Sequence, residues 1–251
     1  MMMLKVVLAA ALIGILACRA QRRDPADARA ALEKRRLDYN AATFVANVKE
    51  GKAEIVNLFL DAGMDPDIRG DSEPTALMIC AERNNAAVLK ILLAKGASVE
   101  LAASEGQRAL HYAATATNGG DCVRLLLEHH ADANAKTSRG NTPLMSAVLI
   151  PSAEPSLPDA AMFKLIDKVR ILLEHGADVN AANIDGVTPL MRAAVLGNTE
   201  FLRELLEHGA DVHAIDRRGE SAASYAVRYN NAQAALLLQR REAKERKGTP
   251  Y

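Results

Sequence analysis

Residues 188–213 read TPLMRAAVLGNTEFLRELLEHGADVH, and this stretch decides the fold. The Thr188 hydroxyl can accept from the unpaired N–H groups of a helix start, and Pro189 suits the first helical position, where an N–H has no partner inside the helix. Leu190, Ala193 and Ala194 fall on one face of that helix, and the small alanines let a neighbouring helix approach closely. Phe201, Leu202, Leu205 and Leu206 follow at the i, i+4 spacing of a second helix with a buried stripe. Gly209 ends it, at a place where a left-handed backbone favours glycine. Such a helix–turn–helix unit cannot bury both its faces alone and must stack on copies of itself.

The copies are present on both sides. The turns Ala62-Gly63-Met64-Asp65, Lys95-Gly96-Ala97-Ser98, His129-His130-Ala131-Asp132, His175-Gly176-Ala177-Asp178 and His208-Gly209-Ala210-Asp211 are separated by 33, 34, 46 and 33 residues. Upstream anchors at Thr75-Ala76-Leu77, Arg108-Ala109-Leu110, Thr142-Pro143-Leu144, Thr188-Pro189-Leu190 and Ser221-Ala222-Ala223 repeat the same series. From about Asn40 to Gln239 the chain resembles the ankyrin repeat family, whose period and T-P-L-H-x-A signature these segments share. The resemblance implies an all-α solenoid of about six helix–turn–helix units with short hairpin-like connections. The units fall at about 41–70, 71–103, 104–137, 138–183, 184–216 and 217–239, within a repeat domain spanning 41–239.

Departures from the pattern carry their own expectations. Arg108 cannot accept as Thr188 does, so the third unit should start more loosely. His130 stands where the other turns have glycine and should cost about 1 kcal/mol for its Cβ. The fourth unit carries 13 extra residues near 150–162, and its run Ile150-Pro151-Ser152-Ala153-Glu154-Pro155-Ser156-Leu157-Pro158 cannot be regular helix. It is expected as a loop between the two helices of that unit, either a tolerated insertion or one wall of a binding site.

The two ends read differently. Lys5 precedes an uninterrupted apolar run from Val6 to Ala17, too short to span a bilayer comfortably and placed like a secretory signal. Ile15-Leu16-Ala17-Cys18 resembles the bacterial lipobox, which implies a signal peptide over 1–17 and acylation of Cys18. Arg19 after it implies an outer-membrane destination. A soluble periplasmic form cut after Ala20, or a retained anchor, are the alternatives. Residues 18–40 are expected as a lipid-anchored tether with a helix over 28–38 able to cover the first unit. Residues 240–251 are expected as a charged tail, whose run from Arg240 to Lys247 reads as a solvated helix end.

Composition limits the function. The 251 residues are 49% hydrophobic and 25% charged, with a formal net charge of +0. That balance lacks the concentrated positive face duplex DNA requires. Aromatics at 4% offer few stacking platforms for single strands. His129, His175 and His208 recur once per repeat, but stacked helices lie about 8–10 Å apart, too far to share one ion without distortion. They read as side chains placed at helix C-termini, where the helix dipole favours a histidine. The resemblance implies a structural hydrogen-bonding role for His111. Cys80 and Cys122 read as small core residues. No catalytic residue, metal, cofactor or small-molecule substrate is expected, and no nucleic acid.

What remains is recognition of another protein, which the family resemblance implies, through the hairpin tips and the exposed side of the first helices. The residues at those places cluster by polarity. Leu149, Ile150, Ile184, Val187, Val195 and Leu196 form an apolar group in the fourth and fifth units. Arg192 lies beside them, and Tyr112, Arg217, Arg218, Arg228 and Tyr229 flank them with residue types common at interface hot spots. A partner protein is expected to dock on the last three units, unless the insertion folds over the apolar group. The role fits a lipid-anchored adaptor or inhibitor, an immunity protein against a secreted toxin, or a scaffold for assembling an envelope enzyme.

Overall fold

The structure is a computed structural model that describes residues 23–69, 74–148 and 159–246. A leading helix, α1 (Pro25–Lys34), precedes six helix pairs. The first three pairs are α2 (Ala41–Lys49) with α3 (Ala53–Asp61), α4 (Ala76–Glu82) with α5 (Ala86–Ala94), and α6 (Ala109–Thr115) with α7 (Gly120–Glu128). The last three are α8 (Pro143–Ala147) with α9 (Asp159–Glu174), α10 (Pro189–Leu196) with α11 (Thr199–Glu207), and α12 (Ala222–Arg228) with α13 (Ala232–Arg246). The all-α solenoid expected from the repeat is the fold observed. Among the described residues the connections hold isolated bridges, Ala102 with Arg108 and Ile215 with Ser221, and one 3-10 turn at Ser104–Gly106.

First helices stack on first helices, second helices on second helices, and each pair packs internally. The first-helix row is built on alanine: Ala113, Ala114, Ala193 and Ala194 have no exposed surface. The second-helix row supplies the bulk, with Phe201, Leu202 and Leu205 equally buried. This division lets an aromatic-poor chain make a continuous core without large rings.

The helix starts behave as their residues dictate. Thr75, Thr142 and Thr188 each accept from the backbone N–H three residues on, at 3.4 Å. The third unit differs from expectation. Arg108 supplies no acceptor, but His111 reaches back and its Nδ1 accepts the Arg108 N–H at 3.2 Å. The start is therefore held from inside the helix and not loosened. At the turns, Gly209 has φ +85° and His130 takes the same left-handed conformation at φ +63°.

The leading helix covers the first repeat. Ala28 and Leu32 are buried where α1 packs on α3. Tyr39 stacks on Phe59 with ring centroids 5.9 Å apart, and the Tyr39 hydroxyl and Arg29 Nε both donate to the Ala62 carbonyl, at 3.1 and 3.3 Å. Much of the chain's small stock of aromatics is spent on this one end.

The charged run after 239 continues α13 as far as Arg246, mostly exposed to solvent. Glu242 stands one repeat after Gly209, so no glycine ends the helix there. In the fourth unit α9 starts at Asp159, so the end of the expected 150–162 insertion is helical. The insertion's Pro-rich part lies outside the described residues, as do the expected signal peptide and Cys18. No described helix is long and apolar enough to cross a membrane.

Candidate partner-binding surface

The hairpin tips form a continuous edge because their backbones bond to one another. Ser138 N–H donates to Glu105 O at 2.8 Å, Ile184 N–H to Arg139 O at 3.0 Å, and Arg217 N–H to Asp185 O at 3.0 Å. The approach is close enough to require glycine. A Cβ on Gly186, at φ +80°, would meet Arg217 N and Asp216 Cα at 3.0 Å. Tip backbones are thus occupied in holding each other, and side chains are left to meet a partner.

Behind the tips, side chains tie repeat to repeat. Asn141 Oδ1 accepts from Arg192 Nη2 at 2.6 Å and from Asn183 Nδ2 at 3.1 Å. The Asn141 carbonyl lies 3.2 Å from His111 Nε2. Because His111 Nδ1 already accepts from Arg108, Nε2 carries the proton and donates to Asn141. Burial lowers the His111 pKa despite that bond. One asparagine therefore links the third, fourth and fifth repeats.

The expected partner residues fall into distinct groups. Ile184 is 46% exposed on its tip and Tyr229 52% exposed at the end of α12. Arg217 is exposed on the last tip, while Tyr112 is half-buried. Val187, Val195 and Leu196 are half-buried against the core and present edges instead of whole side chains. Arg192 is committed to Asn141 and to the Met145 carbonyl, at 3.4 Å, and burial lowers its pKa. Arg218 and Arg228 stay exposed but are tied into a cluster around Tyr225. Arg218 Nη2 donates to the Tyr225 hydroxyl at 2.7 Å, and that hydroxyl donates to Asp216 Oδ2 at 2.8 Å. Arg228 pairs with Glu220 and lies 5.5 Å from the Tyr225 ring centroid. Burial alone would raise the Asp216 carboxyl, but the Tyr225 and Arg218 hydrogen bonds hold it below its ordinary value. Leu149 and Ile150 lie outside the described residues.

Sequence reasoning missed others. Ile215 and Val227 are exposed at 63% and 61%. Val227 occupies the place that Ala194 holds one repeat earlier, and Ala194 is wholly buried. With no described repeat beyond it, a stacking position is left facing solvent. Apart from Tyr39, the large exposed apolar side chains among the described residues lie in the last two repeats: Ile184, Ile215, Val227, Tyr229 and Leu236. Lys168 was missed too. It lies eight residues before Gly176, on the stripe where Phe201 lies before Gly209, and a cation on an apolar stripe was the available signal.

Two of the recurring histidines bond within their own helices. His175 Nδ1 and His208 Nδ1 lie 2.8 and 2.9 Å from the carbonyls of Ile171 and Glu204. Cys80 and Cys122 are buried free thiols; burial pushes Cys122 up to about 11 and Cys80 higher still. Among the described residues no group of three His, Cys, Asp or Glu could hold a metal ion.

Known proteins were compared with the chain as a whole. A family model described as ankyrin repeats matches residues 44–137 and 157–247. A putative ankyrin repeat-containing protein of Treponema pallidum is 35% identical over 122 residues, 48% of this chain and 41% of that protein. Human SH3 and multiple ankyrin repeat domains protein 1 is 33% identical over 111 residues, 43% of this chain and 5% of its own length. The phosphocholine transferase AnkX of Legionella pneumophila is 30% identical over 115 residues, 44% of this chain and 12% of the enzyme, a match confined to repeats. The chain thus spans well under half the length of each of these relatives.

Proposed function

Because this chain belongs to the ankyrin-repeat family, we propose that it is a non-enzymatic protein-binding solenoid of the bacterial envelope. It is held at the membrane through an acylated Cys18 and acts as an adaptor or inhibitor of one partner protein. Ankyrin-repeat proteins are in general binding modules, and the enzyme among the relatives shares only repeats with this chain. The observation that carries the reading is the gathering of exposed apolar side chains on the last two repeats. Ile184, Ile215 and Tyr229 stand out from a framework whose backbone is already occupied by bonds between repeats. A rigid surface with a few large apolar side chains loses little entropy on docking. The partner surface proposed here therefore centres on Ile184, Ile215, Arg217 and Tyr229. The edges of Val187, Val195 and Leu196 add to it, and Leu149 and Ile150 belong to it if the insertion stands open.

The test is site-specific photocrosslinking in cells at positions 184 and 229, with position 82 on the second repeat as control. A discrete crosslinked protein at 184 and 229, absent at 82 and absent in Ile184→Asp with Tyr229→Asp, is expected. Equal crosslinking at all three positions, or full partner recovery by the folded double variant, refutes the surface. Fatty-acid labelling that survives Cys18→Ser refutes the anchor.

A further inference from the structure

A second surface is built by the second helices of the last two described repeats, and its lining includes no tip or first-helix residue. Between α11 and α13 lies a groove of about 470 Å³. Its apolar lining includes Leu206, Leu237 and Leu236, the last 44% exposed. Arg203 lines it from α11 and Arg240, Arg241 and Lys244 from α13, against one carboxylate, Glu207.

The extra length of α13 builds this site. α11 has 9 residues and α13 has 15, so α13 overhangs its neighbour by roughly 9 Å at 1.5 Å per residue. Arg241 and Lys244 sit on the overhang. Two carboxylates beside the groove set the posture of two cations: Glu200 pairs with Arg203 at 3.3 Å, and Glu245 with Arg241 at 2.5 Å. Glu245 also lies 3.4 Å from His213 Nε2. With these carboxylates counted, the groove still keeps a positive excess, in a chain whose net charge is +0.

We infer that this groove is a second docking surface, which takes an acidic amphipathic helix of a partner protein. An apolar stripe flanked by carboxylates would set its leucine-like side chains on Leu206, Leu236 and Leu237 and its charges against Arg203 and Arg240. The flanking α11 and α13 run in the same direction as equivalent helices of adjacent repeats. A third helix in the groove extends the packing the solenoid already uses, ridges into grooves. Charge selects the acidic helix over a basic one. The face lies apart from the tips and first helices, so both surfaces can be occupied together.

The probe is a fluorescent peptide of about four helical turns, with leucines on one face and glutamates beside them, titrated into the purified protein by anisotropy. Its counterpart carries lysine at every glutamate. The acidic peptide is expected to bind and to weaken with salt, while the basic one does not bind. Arg240→Glu with Arg241→Glu should weaken the acidic peptide at least about tenfold, the loss of roughly one charge-assisted contact. Arg203→Glu, on the other wall, should do the same and guards against damage to α13. Ile184→Asp with Tyr229→Asp should leave it unchanged, which separates this surface from the one proposed above. Equal binding of the two peptides, or none by either, overturns the inference. So does loss, in the α13 variant, of cosedimentation with phosphatidylglycerol vesicles or of self-association in sedimentation, if the acidic peptide does not bind.

Discussion

Lys168 Nζ lies 2.5 Å from the carbonyl oxygen of Ala114 and 2.7 Å from that of Ala116. The side chain has no exposed surface, so an amine from the fourth repeat closes the C-terminal end of α6 in the third. Helix ends leave carbonyls unpaired and carry partial negative charge, which is where a cation is best placed. The cost is desolvation. Burial pushes the Lys168 ammonium from 10.5 down to about 8. Between those values the unfolded chain binds the proton and the folded chain does not. Stability therefore falls as pH drops from about 10.5 to about 8 and is level below that, by about 3 kcal/mol in all. Urea unfolding of wild type and Lys168→Met across that range checks it. The difference between them should move in favour of wild type as pH rises, and a pH-independent difference would mean that the amine is not desolvated.

Asn180 is a clamp between the fourth and fifth repeats. Its Nδ2 donates to the Gly209 carbonyl at 3.0 Å and its Oδ1 accepts from Asp211 N–H at 2.8 Å. Asn134 makes the same two bonds to Gly176 and Asp178 one repeat earlier, at 2.9 and 2.7 Å. Asn180→Ala should cost about 1–2 kcal/mol for two hydrogen bonds near the surface. In a stack, the loss weakens one interface more than the whole. Hydrogen exchange should therefore speed up in α10 to α13 first and leave α4 to α7 protected.

How much of this was legible follows from how local each cause is. The repeat, its caps and its turns are set by residues within one unit, so Thr188, Pro189 and Gly209 were readable at sight. The site is set between units. Arg192 reads as a free cation until Asn141, more than one repeat away, is brought to it. Val227 reads as one more helix residue until no described repeat is found to cover it. Arg218 and Arg228 look like hot-spot residues in sequence and turn out to flank Tyr225. The charged helix end after Gln239 is again a local matter, since Glu242 stands in the register where Gly209 ends the helix before it.

His130 carries a removable strain. It is the one turn of the five aligned on Gly209 without glycine, and its backbone is left-handed at φ +63°. His130→Gly removes the clash of the Cβ but gives the unfolded chain more freedom. A net gain of about 0.5–1 kcal/mol is expected, seen as a higher urea midpoint with an unchanged slope. A loss would mean that the imidazole makes a contact worth more than the strain.

His111 gives the third repeat a dependence on acid. As a neutral ring it accepts the Arg108 N–H at Nδ1 and donates to Asn141 at Nε2. Protonation turns Nδ1 into a donor facing a donor and places a cation near Arg108. Burial, and after it the Arg108 charge, lower the His111 pKa below its ordinary 6.5, against bonds to backbone carbonyls that raise it. The unfolded chain then takes up a proton at a pH where the folded chain does not. The His111 contribution is fully present above about pH 6.5 and is lost as pH falls through that value toward the folded pKa. Wild type and His111→Gln, unfolded in urea at about pH 7.5 and pH 5.5, separate this group from other acid-sensitive ones such as Asp216. The advantage of wild type over the variant should shrink at the lower pH. An advantage that grows there would mean that the folded protein favours the charged ring, and the assigned Arg108–His111–Asn141 chain would be wrong.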